Sequence, residues 1–283
     1  MSYPQGMSLA ELALGVEQIL LAGDGFSARI ALLGGQLLDY GRGEQPPLFY
    51  LSSQSAYQPG KAIRGGVPVC WPWFGAHPSD AAQPAHGVAR QQLWTLAEAS
   101  RDGEVFHVKL SAPRHGELSA ELDFRIGPDD IAIELTTANH GALPQTVSAA
   151  LHSYFAVSDI DSVELLGLEG APAHDKLSDR RLNLPALPFR FDGEVDLVAY
   201  RGGAITLQDA GWRRAVRIAS AGSHSAVVWN PAPAKAQRLA DLPDADWRRF
   251  VCVETANAGD DARTLAPGAA HKLACRVDFS CRD

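Results

Sequence analysis

The stretch Leu118-Ser-Ala-Glu-Leu-Asp-Phe-Arg-Ile126, with the turn Gly127-Pro-Asp-Asp130 and the run Ile131-Ala-Ile-Glu-Leu-Thr136, decides the fold class. Leu118, Ala120, Leu122, Phe124 and Ile126 alternate with Ser119, Glu121, Asp123 and Arg125. A period of two is the mark of a strand with one face buried. Beyond the turn, Ile131, Ile133 and Leu135 alternate with Ala132, Glu134 and Thr136, so the segment predicts a β-hairpin.

Outward from the hairpin, similar short runs recur on both sides: SARIALLGGQLLDY, PLFYLS, VFHVKLSA, TVSAALHSYFAV, AITLQD, AVRIAS, SAVVWN, RFVCVET and HKLACRVDF. Gly, Pro, Asn and Asp clusters separate them. Helical periodicity is confined to Leu9 to Leu21 and a short turn or helix over Asp241 to Arg249. No βαβ rhythm, fixed-period repeat or long linker interrupts the series. The expectation is an all-β protein, one large antiparallel β-sandwich with few short helices, as a single domain over residues 1–283.

Composition narrows the partners. With 25 Lys+Arg against 33 Asp+Glu the formal charge is −8, so there is no positive excess to neutralise nucleic acid or an anionic membrane. No apolar run approaches the ~20 residues that span a bilayer. The start, MSYPQGMSLAEL, lacks a basic and then hydrophobic leader. A cytoplasmic, monomeric protein is expected. Cys70, Cys252, Cys275 and Cys281 form no CxxC pair and are expected as thiols, Cys70 and Cys252 in apolar surroundings.

Four segments stand out as candidates for chemistry. Lys61-Ala-Ile-Arg64-Gly-Gly-Val-Pro-Val-Cys-Trp71-Pro-Trp73-Phe74-Gly75 sets three aromatics and an arginine among glycines and prolines. That composition suits a concave sugar-binding wall or, more simply, a loop closing the sandwich. Pro84-Ala-His86-Gly-Val-Ala-Arg90 spaces an imidazole and a guanidinium four residues apart. His152 interrupts an apolar run, and Glu254 follows four apolar residues; either group, if buried, needs a partner or a task. Together they suit acid–base chemistry. A divalent metal held by His86, His152 and Glu254 is the rival, although the compact HxH and following glutamate of a cupin are absent. Neither GxSxG nor GxxxxGK[ST] occurs.

In their order and separation, IRGGVPVCWPWFG, PAHGVAR, LHSYFAVSDI and FVCVETANA resemble the hexose-6-phosphate 1-epimerase branch of the galactose mutarotase-like superfamily. GGQLLDY, YLS, VDLVAY and VVWNP extend the likeness from about residue 28 onward. The resemblance implies a β-supersandwich and cofactor-free interconversion of the anomers of a hexose phosphate, glucose 6-phosphate first among them. It implies Glu254 as general base, His152 as general acid, His86 as a second histidine on the sugar, and Arg64 and Arg90 as phosphate-favouring cations; on charge grounds Lys61 adds to the local field that a net-acidic chain needs for an anionic substrate. Asp196 matches an acidic position of the family motif, although Leu197-Val-Ala-Tyr200 departs from its usual spacing. Trp73 stands where relatives often carry a polar residue, which bears on one sugar hydroxyl. A non-catalytic sugar-phosphate sensor and a mutarotase for free hexoses are the alternatives.

Overall fold

A computed structural model describes residues 3–281, with side chains as far as 279. The deciding hairpin pairs Leu118–Ile126 with Asp130–Asn139, from Leu118 opposite Asn139 to Ile126 opposite Ile131. Its five alternating apolar residues are buried, while Glu121 and Arg125 are exposed. The hairpin lies within an eight-stranded antiparallel sheet ordered Val163–Leu166, Ala204–Asp209, Arg214–Ala221, Ala270–Cys281, Asp130–Asn139, Leu118–Ile126, Val105–Ser111 and Thr95–Asp102.

A second eight-stranded sheet carries the candidate site. Its order is Arg180–Asn183, Pro172–Asp175, Val195–Ala199, Ser225–Asn230, Phe250–Asn257, Ala149–Leu151 and Val69–Cys70, and Tyr154–Ala156 also pairs with Phe250–Asn257. Every residue of Phe250–Asn257 is buried, which explains its almost continuous apolar reading. Val251 and Val253 join the main core with residues of the other large sheet, while Phe250 and Cys252 pack with Tyr50, Tyr154 and Trp229 on the opposite face. The sandwich expectation therefore holds.

Two local expectations are corrected. Leu9 to Leu21 is not helical: Met7–Ala13 and Val16–Ala22 form an antiparallel hairpin that starts a four-stranded sheet. An irregularity between Glu11 and Ala13 shifts the pairing register. One extra residue breaks the alternation and makes the apolar spacing resemble a helical stripe. PLFYLS makes only isolated bridges, Phe49 to Phe155 in the strand Tyr154–Ala156 and Leu51 to Gly65 in a loop. Near Asp241 to Arg249 the helical part is a single turn, Asp246–Arg249, and Ala232–Ala236 forms a short α-helix that periodicity did not signal. Cys70, Cys252 and Cys275 are buried free thiols, and the side chain of Cys281 lies outside the described residues.

Candidate active site

His152 owes its position to a break between two short strands that share one partner. Leu151 pairs with Thr255 and Tyr154 with Cys252, while the His152 N–H donates out of the ladder to the Pro68 carbonyl at 2.9 Å. In the break the Ser153 carbonyl accepts from the Val253 N–H at 3.3 Å, and His152 Nε2 stands 3.3 Å from Glu254 Oε1. Both side chains are almost fully buried. Phe250–Asn257 thus sets Glu254 on the face opposite Val251 and Val253, as a period of two requires.

Burial raises the Glu254 carboxyl well above the usual carboxylate range, and Asp196 pushes it further while Arg90 opposes. Burial lowers the His152 imidazole, aided by His86, Arg90 and Arg64. The attraction between an imidazolium and a carboxylate at this distance acts against both shifts. The neutral pair and the ion pair differ only in which residue holds one proton. Among the described residues, His152 Nδ1 and Glu254 Oε2 have no hydrogen-bond partner, nor have Arg64 Nε and Arg90 Nε. Unpaired polar atoms gathered at one place in a core call for a ligand.

His86 reaches the pair from the loop between Gly75 and Arg90. Its ring centroid is 6.1 Å from that of His152 and 4.8 Å from Phe74. The Gly75 N–H approaches His86 Nδ1 at 3.4 Å, leaving the ring proton on Nε2. Burial, then Arg90, Arg64 and Lys176, lower its pKa to about 3, so it is a neutral donor at pH 7. Gly87, at φ 75°, makes this approach possible: a Cβ there would lie 2.0 Å from the Trp71 carbonyl oxygen.

Arg64 Nη1 donates to the Tyr154 hydroxyl at 2.9 Å, and Nη2 pairs with Asp241 at 3.0 Å. Arg90 Nη2 donates to the Ala85 carbonyl at 2.9 Å. Both guanidinium groups line a cleft of about 550 Å³ with Lys61, Arg238, Tyr154 and Asp241. Four cations there face one carboxylate. Hollows of about 510 and 610 Å³ lie elsewhere, the second along Lys109, Asp123 and Glu134 on the other large sheet, and the cation-lined cleft is distinguished from them by Tyr154, whose ring stacks on that of His152. Asp196 sits opposite Trp229 in the same sheet; burial raises its pKa, with Lys235 and Lys176 opposing. Trp73 is buried and its indole N–H donates to the Pro84 carbonyl at 2.9 Å, so its donor is committed to the loop. Among the described residues no three His, Cys, Asp or Glu side chains are grouped to hold a metal ion.

Of the six expected site residues, Glu254 and Asp196 lie on strands of one sheet, His152 in the break between two of its strands, and Arg64, His86 and Arg90 on loops and a 3-10 turn beside it. Sequence reasoning missed Tyr154, Asp241 and Arg238. Tyr154 carried a usable signal, since it stands two residues from His152 in a β run and strand side chains at that spacing share a face.

A sequence model of the aldose 1-epimerase family matches residues 17–278. An Escherichia coli K12 protein named "Putative glucose-6-phosphate 1-epimerase" is 33% identical over 257 residues, 86% of this chain and 84% of that protein. A Cenchrus ciliaris protein of the same name is 31% identical over 282 residues, 92% of this chain and 84% of its own length. The crystal structure of a "putative mutarotase" from Salmonella typhimurium superposes with a TM-score of 0.90 at 28% identity, covering 98% and 94% of the two chains. With the fold, the buried histidine–glutamate pair and a family match over most of its length, the chain belongs to the aldose 1-epimerase family.

Proposed function

We propose that the protein interconverts the α and β anomers of an aldohexose 6-phosphate, glucose 6-phosphate being the first candidate, without a cofactor. The observation that carries this reading is the buried His152–Glu254 pair, with Tyr154 stacked on His152 and lining a cleft that holds four cations and one carboxylate. The names of the curated relatives agree with it. A phosphate monoester carries nearly two negative charges, and a chain of net charge −8 needs such a local field to receive it.

The chemistry moves protons alone. In the ion-pair form, the Glu254 carboxylate takes the proton of O1–H while the His152 imidazolium gives its proton to the ring oxygen O5. The C1–O5 bond breaks as the C1–O1 carbonyl forms. After rotation about C1–C2, O5 attacks the other carbonyl face, His152 recovers the proton from O5, and Glu254 returns its own to O1. The residue pair ends as it began. Neutral His86 donates from Nε2 to a sugar oxygen, and Asp196 accepts from a hydroxyl at the far wall. Each acid–base group contributes about 10²–10⁴-fold.

Polarimetry of freshly dissolved α-glucose 6-phosphate tests the reading. The protein should hasten equilibration, and activity should survive exhaustive chelation. No acceleration with glucose, galactose or mannose 6-phosphate would leave a binding module; faster turnover of free glucose would move the substrate to unphosphorylated hexoses. Loss in chelator with recovery on added zinc would reassign His86, His152 and Glu254 as metal ligands.

A further inference from the structure

We infer that Tyr154 is a positioning residue joining the anion cleft to the catalytic imidazole, so that an anion seated in the cleft improves turnover as well as binding. The inference rests on the proposed sugar-phosphate reading and adds to it a residue that acts between its two halves.

Three observations meet at this side chain. Its ring stacks on that of His152, with centroids 4.8 Å apart and planes within 9°. Behind it, Phe250 and Trp229 close on the ring at 5.2 and 6.1 Å, so the stack is clamped from within the core. Tyr154 is among the residues that line the cleft, and its hydroxyl accepts a hydrogen bond from Arg64 Nη1, another lining residue, at 2.9 Å. Arg64 is fixed in turn by Asp241 through Nη2.

The physical consequence follows from the buried position. Tyr154 is 1% exposed, so its ring cannot shift without moving the imidazole stacked on it or the aromatic residues behind. Burial also raises its phenol pKa, which keeps the hydroxyl proton in place. Among the described residues that proton has no acceptor, while the oxygen accepts from Arg64. An anion in the cleft can take a hydrogen bond from the same hydroxyl, and drawing on Arg64 and Tyr154 together holds the ring, and with it His152, in one position. A free hexose leaves this linkage unloaded.

The test is a kinetic double-mutant cycle with glucose 6-phosphate and free glucose as substrates. Tyr154→Phe keeps the ring and removes only the hydroxyl. The ratio of kcat for glucose 6-phosphate to kcat for free glucose should fall about tenfold, or about 1.4 kcal/mol, with KM for the phosphate ester changing less than about threefold. In an Arg64→Ala background the same change should lower that ratio little further, because both substitutions cut one linkage. Tyr154→Leu, which also removes the stack, should lower kcat on both sugars. A wild-type ratio in Tyr154→Phe, or losses that multiply in the double variant, would overturn the inference. A wild-type enzyme with no preference for the phosphate ester would instead sink the sugar-phosphate reading, and the coupling with it; that result is read from wild-type rates alone.

Discussion

At Arg64 the positive charge is already shared, since one guanidinium nitrogen serves Tyr154 and another Asp241. Lys61 and Arg238 line the same cleft and have no side-chain partner among the described residues, so they hold unspent charge at its rim. Arg90 stands between these cases, giving one nitrogen to the Ala85 carbonyl and keeping a buried Nε unpaired. A charge-assisted hydrogen bond contributes about 1.5–3 kcal/mol and is offered only to a ligand bearing the anion. Arg64→Ala and Arg90→Ala should therefore each lower kcat/KM for glucose 6-phosphate about 10–100-fold and alter the value for free glucose much less. Steady-state kinetics on both sugars decides the matter. An equal fall would make the arginine a support of the pocket wall, and no fall on either would leave it a surface charge.

Among the elements, the loop that delivers His86 depends on one close approach. Gly87→Ala places a Cβ against the Trp71 carbonyl as well as straining a positive φ, whereas Gly103, at φ 56°, has open space around an added Cβ. Gly87→Ala should cost about 1–3 kcal/mol more than Gly103→Ala and also lower activity through His86. Urea midpoints of both variants measure the difference; equal losses would mean that backbone strain acts alone. The sequence made the regular strands legible because alternation survives wherever one face is buried, as along Leu118–Ile126. Leu9 to Leu21 misled because a register shift removes that alternation. Glu254 and His152 were visible as charges out of place in apolar runs. Asp241 and Arg238 were not, for in a polar loop a charged residue departs from no pattern and its cleft exists only after folding.

For the whole molecule, the buried histidines tie stability to pH. His86 has a folded pKa of about 3 against an ordinary 6.5, so below pH 6.5 the unfolded chain binds a proton that the native chain refuses. Its contribution is complete above 6.5 and is lost as pH falls from there towards about 3. Replacing His86 by glutamine removes that titration. Relative to wild type, the His86→Gln protein should gain up to about 1.4 kcal/mol per pH unit below 6.5. Denaturant titrations at pH 7, 6 and 5 give the difference, and a constant offset between the two proteins would contradict a neutral buried His86. The central claim is that a net-acidic β-sandwich uses His152 and Glu254 as its proton-transfer pair on a sugar phosphate. Exchange NMR of the anomeric signals of glucose 6-phosphate, with wild type, His152→Asn and Glu254→Gln at equal concentrations of folded protein, tests it most directly. Wild type should exchange the two signals, and each variant should do so about 10²–10⁴-fold more slowly. Wild-type exchange rates in either folded variant would contradict the account.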